Sequence, residues 1–425
     1  MLEVFEEKMK AAPNGKFDIA AIRRDFPILE ERVNGHPLAW FDNGSTTHKP
    51  QVVIDRLHQY YRRENSNIHR AAHALAARAT DAYEGARGTV QRFINALDAA
   101  EVIFVRGATE AINLVACSWG AQNVHAGDEI IVSHLEHHAN IVPWQQLAAA
   151  VGATLRVIPV DDSGQLRMDA YAALLSPRTK LVAVTQVSNV LGTVTPVKEI
   201  AALAHAHGAR VLVDGAQGVS HLRVDVQDLG ADFYVFSGHK VFGPTGIGVL
   251  WGRRELLEAM PPIQFGGNMI ADVTFEATAF QAIPNKFEAG TGNIADAVGL
   301  AAALDYVSSI GIDAIARYEH ALLMHANARL RDVRGVRLIG TAANKASVVA
   351  FTVAGYTTQE IGHALNEEGI AVRTGHHCAQ PILRRFGVET TVRASLAFYN
   401  TIEEIDRFAG AVARLAVQRG AAQAT

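Results

Sequence analysis

The chain has 425 residues, 49% hydrophobic and 19% charged, and its 39 basic and 43 acidic side chains leave a formal charge of -4. That length and apolar content predict a soluble protein with one large core and a second, smaller one. The balanced charge, with no Lys/Arg-rich block, excludes nucleic acid and anionic membrane as expected partners.

No apolar run approaches a membrane span, and the charged start Met1-Leu-Glu-Val-Phe-Glu-Glu-Lys8 lacks the apolar stretch of a signal peptide, so a cytoplasmic protein is expected. Two cysteines, Cys117 and Cys378, predict neither a disulfide framework nor a cysteine-rich zinc site.

Residues 1 to about 30 read as a helical, partly polar lead-in, and Phe41-Asp-Asn-Gly-Ser-Thr-Thr-His48 as a turn cluster. Helical patterning resumes near Val52, and Asn65-Ser-Asn-Ile-His-Arg70 is an irregular polar stretch. Glu101-Val-Ile-Phe-Val105 is a short buried strand, which Arg106-Gly-Ala-Thr-Glu110 turns into a helix over 111–119. With Thr109 in its first turn, that helix offers N–H groups and a hydroxyl to an anion. Cys117 falls on the apolar face of the helix, as packing.

Asp128-Glu-Ile-Ile-Val132 is the next strand and runs into Ser133-His-Leu-Glu-His-His-Ala139. Three histidines in five residues allow two readings: metal ligands, which need three or four convergent donors, or an imidazole laid flat on an aromatic cofactor. From about residue 151, strands over 154–158, 181–185, 210–214 and 233–236 alternate with helical segments, one over 198–207. This predicts right-handed crossovers and a mostly parallel sheet buried on both faces. Ligands in such sheets sit off the carboxyl ends of the strands, where Asn189, Asp214, Gln217, Ser237, His239 and Lys240 gather.

Ala231-Asp-Phe-Tyr-Val-Phe-Ser-Gly-His-Lys240 delivers a lysine to the end of an apolar strand. Such an amine is a candidate for a lowered pKa and Schiff-base chemistry. Val211-Leu-Val213 delivers the Asp214 carboxyl to the end of the preceding strand, where it needs a cation or a proton donor. A pyridinium nitrogen fits that need, and so does a helix N-cap or a salt bridge.

After about 255 the sequence turns to loops, followed by one long helix over 295–330 that leads to a second domain. That domain has strands near 336–339 and 347–353 and helices near 358–367 and 402–418. Within it, Gly369-Ile-Ala-Val-Arg-Thr-Gly-His-His-Cys-Ala379 is a strand ending in a polar turn where Cys378 can be reached and its thiolate favoured. Thr391-Val-Arg-Ala-Ser395 puts Arg393 on or beside a strand.

Six motifs resemble the cysteine desulfurases of the class V aminotransferase group, in their SufS-like branch: Glu136-His-His-Ala-Asn-Ile-Val-Pro-Trp144, Val187-Ser-Asn-Val-Leu-Gly-Thr193, Val213-Asp-Gly-Ala-Gln217, Ser237-Gly-His-Lys-Val-Phe-Gly-Pro-Thr-Gly246, Phe287-Glu-Ala-Gly-Thr291 and Arg373-Thr-Gly-His-His-Cys378. The resemblance runs over about residues 20 to 415. It implies an α/β protein of pyridoxal phosphate fold type I, with a mostly parallel central sheet in a large domain and a smaller C-terminal α/β domain. The implied division is 1–30 as an N-terminal helical segment packing with the small domain, 31–300 as the cofactor-binding domain, and 301–425 as the domain carrying the Cys378 loop.

The same resemblance implies that Lys240 links covalently to pyridoxal 5'-phosphate, Asp214 pairs with the ring nitrogen, His137 stacks on the ring and Gln217 reaches its phenolic oxygen. Thr109, Ser237 and His239 hold the phosphate, joined by Thr291 from the partner of a homodimer. Asn189 and Arg393 fix the carboxylate of L-cysteine, with His69 and Arg70 near the mouth, and Cys378 takes the sulfur as a persulfide. A sulfur-accepting partner of the SufE or SufU type and a role in iron–sulfur cluster assembly are implied, with selenocysteine lyase or another class V enzyme as the alternative. Two positions depart from the pattern: Ala108 replaces a second threonine, and Gly292 stands where proline is common.

Overall fold

The computed structural model describes residues 17–69 and 72–422; Arg70 and residues 1–16 of the expected lead-in lie outside that range. Seven apolar stretches pair into the central sheet: β1 (Val102–Val105), β2 (Glu129–Ser133), β3 (Thr154–Ile158), β4 (Thr179–Thr185), β5 (Arg210–Asp214), β6 (Phe233–Ser237) and β7 (Gly248–Gly252). Their spatial order is β1-β7-β6-β5-β4-β2-β3. The pairs from β3 through β6 are parallel, whereas β7 runs antiparallel between β6 and β1. Nearly every residue of β2, β4, β5 and β6 is buried, as strands covered on both faces require.

The antiparallel β7 closes the lysine strand against β1 through a near contact of two glycines. A Cβ on Gly248 would meet the Cα of Gly107 at 2.5 Å, so only glycine lets β7 lie against the turn that starts the next helix.

Two corrections to the sequence reading concern helices. The segment after β1 is α-helical only over α1 (Ala108–Val115) and widens to a π-turn over Ala116–Gly120, which swings Cys117 out to solvent instead of onto the apolar face. The long helix over 295–330 is two, α2 (Ile294–Ile310) and α3 (Ile312–Arg331), bent by 75°. Gly311 has φ +93 at the break, a conformation that an L side chain resists, and it ends one helix and begins the other. The stretch read as loops after 255 also contains a short exposed hairpin, Ile270–Val273 with Thr278–Phe280.

A second, antiparallel sheet follows, with β8 (Val336–Ile339), β9 (Val348–Val353), β10 (Arg373–Gly375) and β11 (Thr391–Ser395) in the order β8-β9-β11-β10. The early chain reaches across to this region. Ala39–Trp40 pairs in parallel with Ile370–Ala371, Asp42 bridges Ser395, and Arg23 forms an ion pair with Glu404. Among the described residues, no single helix is long and apolar enough to cross a membrane.

Candidate active site

Parallel pairing sets Asp214, the last residue of β5, level with Val235 of β6, and the chain leaves β6 into the single turn Gly238–Lys240. The Asp214 carboxyl and the Lys240 amine therefore line one cavity of about 230 Å³ at the carboxyl ends of the parallel strands. Burial pushes the Lys240 amine down to about 8, with the Asp214 charge acting against the shift. Burial likewise pushes the Asp214 carboxyl up, opposed by the Ala216 amide, which donates to Oδ1 at 2.9 Å, and by Lys240.

His137 stands on the same cavity wall and caps the short turn His138–Asn140. Its Nδ1 accepts the Ala139 amide at 3.0 Å, which assigns the ring proton to Nε2. Burial first, and then the charge of Lys240, pushes its pKa down to about 3, so the ring is neutral at physiological pH. A neutral, flat ring beside an amine and a carboxyl suits an aromatic ligand.

Part of the cavity lining has the chemistry to suit an anion. Helix α1 starts at Gly107 with no side-chain cap, and although the Ala108 amide donates to Ser237 Oγ at 2.9 Å, the next amides of the first turn have no intrahelical acceptor. Thr109, Ser237 and His239 line the same cavity. The carbonyl of His239 is held by the Thr47 amide at 3.0 Å and by Lys49 Nζ at 3.1 Å, which steadies the turn bearing Lys240. Gln217 enters from the β5 side, its Nε2 donating to the Gly44 carbonyl at 2.7 Å.

Arg393 reaches the cavity from β11 of the second sheet. Its Nη1 donates to the Asn189 carbonyl at 2.9 Å, and its Nη2 donates to Asp42 Oδ1 at 3.0 Å and Ser45 Oγ at 2.8 Å. Among the described residues its Nε is buried without a partner, as is Asn189 Oδ1, whose amide nitrogen donates to the His377 carbonyl at 2.7 Å. Antiparallel pairing of β10 with β11 sets Arg373 opposite Arg393, and Arg373 Nη1 also donates to Ser45 Oγ, at 2.7 Å.

Cys378 lies half-buried at the cavity wall, in a turn where His377 and Cys378 have φ +51 and +55. Two successive non-glycine residues in the left-handed region are strained, and the turn persists because its backbone is held on several sides. Lys240 and Arg393 both interact electrostatically with the Cys378 sulfur, so the thiol shares the cavity with two cations.

His69 and Thr291 do not reach this cavity within the chain. His69 has φ +68, donates its amide to Thr80 Oγ1 at 3.0 Å and places Nε2 3.0 Å from Glu84 Oε1. Thr291 lines a different cavity, beside Tyr83 and Gly292. Gly44, Ser45, Arg373 and His377 line the site but were not singled out from the sequence. The signals were present in the turn cluster after Phe41 and in the arginine that opens the Cys378 motif. Among the described residues no group of three or more His, Cys, Asp or Glu side chains converges as metal ligands, and His134, which does not line the cavity, has a buried, unpartnered Nδ1.

The residues present fit pyridoxal 5'-phosphate. The amine and the carboxyl line the same cavity, a neutral imidazole forms part of its wall, and the uncapped helix start suits a phosphate.

The family model for aminotransferase class-V matches residues 39–408. A cysteine desulfurase of Synechococcus elongatus is 68% identical over 399 residues, which cover 94% of this chain and 64% of that relative, so the chain spans about two thirds of the relative's length. Among solved structures, the cysteine desulfurase CsdA of Escherichia coli superposes with a TM-score of 0.88 at 40% identity, covering 95% of this chain and 99% of that one. A variant of C-DES carrying glycine covalently linked to its PLP cofactor superposes with a TM-score of 0.79 at 25% identity, covering 92% and 98%. The α/β architecture is that of pyridoxal phosphate fold type I.

Proposed function

The chain belongs to the aminotransferase class-V family, and from that premise we propose that it is a cysteine desulfurase, converting L-cysteine to L-alanine and keeping the sulfur as a persulfide on Cys378 for iron–sulfur cluster assembly. Its cofactor is pyridoxal 5'-phosphate. The observation that carries the reading is that Lys240, Asp214, His137, Arg393 and Cys378, drawn from both sheets, line one cavity. No residue of the site favours the selenocysteine lyase alternative.

In this reading Lys240 is the covalent anchor of the cofactor, Asp214 faces its ring nitrogen, His137 its ring and Gln217 its phenolic oxygen. Thr109, Ser237 and His239 take the phosphate. When bound, the cofactor supplies an electron sink that acidifies the substrate Cα–H bond. The chain's own residues do the rest. Arg393, with Asn189 beside it, holds the substrate carboxylate through its guanidinium, which lines the cavity. Lys240 Nζ, with its affinity for protons reduced by burial, takes the Cα proton. Cys378 Sγ then bonds to the substrate sulfur as the carbon–sulfur bond breaks, so cysteine and a thiol become alanine and a persulfide.

The proposed working form is a homodimer. Thr291 and His69 lie outside the chain's own cavity, where they can serve a partner's site. The regions 31–300 and 301–425 act as the cofactor-binding and Cys378-bearing parts, with residues 17–30 packed on the latter. A half-buried Cys378 suits delivery to an acceptor of the SufE or SufU type in the cytoplasm. The test is the absorption spectrum of the purified holoenzyme before and after L-cysteine, with alanine assayed. A spectral change with alanine formed supports the reading, and a keto acid in place of alanine overturns it.

A further inference from the structure

The run of three histidines after β2 supplies His137 to the cavity, and His138, absent from the cavity wall, turns the other way, under the Cys378 loop. Its amide donates to the Cys378 carbonyl at 2.7 Å, and its ring Nε2 accepts the Gln380 amide at 3.4 Å. The ring lies stacked on that of His376, with centroids 5.7 Å apart and planes at 29°. His376 Nδ1 in turn accepts the Cys378 amide at 3.0 Å. The N–H and the C=O of Cys378 are thus both occupied, one by His376 and one by His138, at the point where two successive non-glycine residues sit at positive φ.

We propose that His138 is a positioning residue for sulfur transfer. It ties the Cys378 turn to the segment that carries His137, so the thiol keeps a fixed distance from a substrate lying against the His137 ring. The two rings brace each other, and each accepts an N–H of the turn, of residue 378 in one case and 380 in the other. Strain in the left-handed pair is borne by these contacts. The inference rests on the reading of Cys378 as the sulfur acceptor.

The test compares holoenzyme variants. His138→Gln can bring an amide oxygen close to the place of Nε2, whereas His138→Ala cannot. In His138→Ala, kcat for alanine formation is expected to fall about tenfold or more, the scale of a small misplacement of a reacting atom. KM for cysteine and the bound cofactor stay as in wild type, the rate at which iodoacetamide alkylates Cys378 changes several-fold, and His138→Gln recovers most of both rates. Wild-type kcat and alkylation in His138→Ala, an equal loss in both variants, or loss of cofactor from a folded His138→Ala would each overturn the proposal.

If His138→Ala does not fold, Gln380→Pro decides. It removes the N–H that His138 accepts, at the first position of the helix Gln380–Arg385, where proline is tolerated. A lower kcat at unchanged KM is expected, and an unchanged kcat overturns the role. Alkylation needs no cysteine, so a protein that makes no alanine would sink the functional reading while the alkylation rates still judge the clamp.

Discussion

Arg393 donates to the Asn189 carbonyl at 2.9 Å yet keeps a buried Nε with no acceptor among the described residues. An unsatisfied buried donor costs roughly 1–3 kcal/mol, and in the proposed function the guanidinium of Arg393 is what meets the substrate carboxylate. Arg393→Lys keeps the charge but loses the planar fork. KM for L-cysteine is expected to rise on the order of tenfold or more, with bound cofactor unchanged; an unaltered KM would place the substrate carboxylate elsewhere.

Lys240→Ala removes the amine that lines the cavity with Asp214. Borohydride treatment of the wild type should fix the cofactor to the Lys240 peptide, visible as a mass shift of that peptide. The variant should show no such adduct at any lysine. An adduct on another lysine, or one retained in the variant, would remove Lys240 from its role.

The pH dependence of stability follows from four histidines. Burial is the largest cause in each case, holding His48 and His239 near 4 and His137 and His377 near 3. All four lie below the ordinary value of 6.5. Below pH 6.5 the unfolded chain takes up protons that the folded protein refuses, so stability falls as the pH drops toward 4 and gains nothing from these groups above 6.5. Glu136, pushed up to about 8 by burial, and Asp214, also pushed up, act in the opposite sense, while His134 and His138, held down by burial, act with the four. Thermal melts of the purified protein from about pH 7.5 to about pH 5 should therefore give a steadily decreasing Tm. A level or rising Tm would mean that these rings are charged or solvated in the fold.

Glu288 is a separate point of fragility. Arg87, 1% exposed, donates to it at 2.7 Å and 3.0 Å, and Tyr83 Oη and the Phe104 amide also donate to it. Arg87→Met leaves that carboxylate buried without its cation, at a cost of about 3–5 kcal/mol. Urea unfolding measures the loss. A change below about 1 kcal/mol, the size found for exposed pairs, would show that the pair is not desolvated.

Much of this was legible in the sequence because it is local. Strands such as Thr154–Ile158 and Arg210–Asp214 are short apolar runs between turn residues, and their parallel order follows from the helices between them. The motifs around Lys240 and Cys378 carry their own glycines and polar turns. The parts that were missed depend on tertiary contacts. Gly311 breaks a helical pattern that its neighbours continue, and β7 reverses direction beside the lysine strand with no signal in its composition. Arg373 and Ser45 join the site only because β10 lies beside β11 and the 42–45 turn crosses to the second sheet. The exposure of Cys117 comes from a π-turn that widens the helix, which residue periodicity at 3.6 does not reveal.

The most direct test follows the sulfur itself. The holoenzyme is incubated with L-cysteine in the absence of reductant and acceptor, alanine is counted, and the peptides are mapped by mass. The account predicts one sulfur atom added to the peptide containing Cys378, matched by one alanine per site, and neither product from Cys378→Ser. Alanine formed at the wild-type rate by Cys378→Ser, or added sulfur found at Cys117 and not at Cys378, would contradict it.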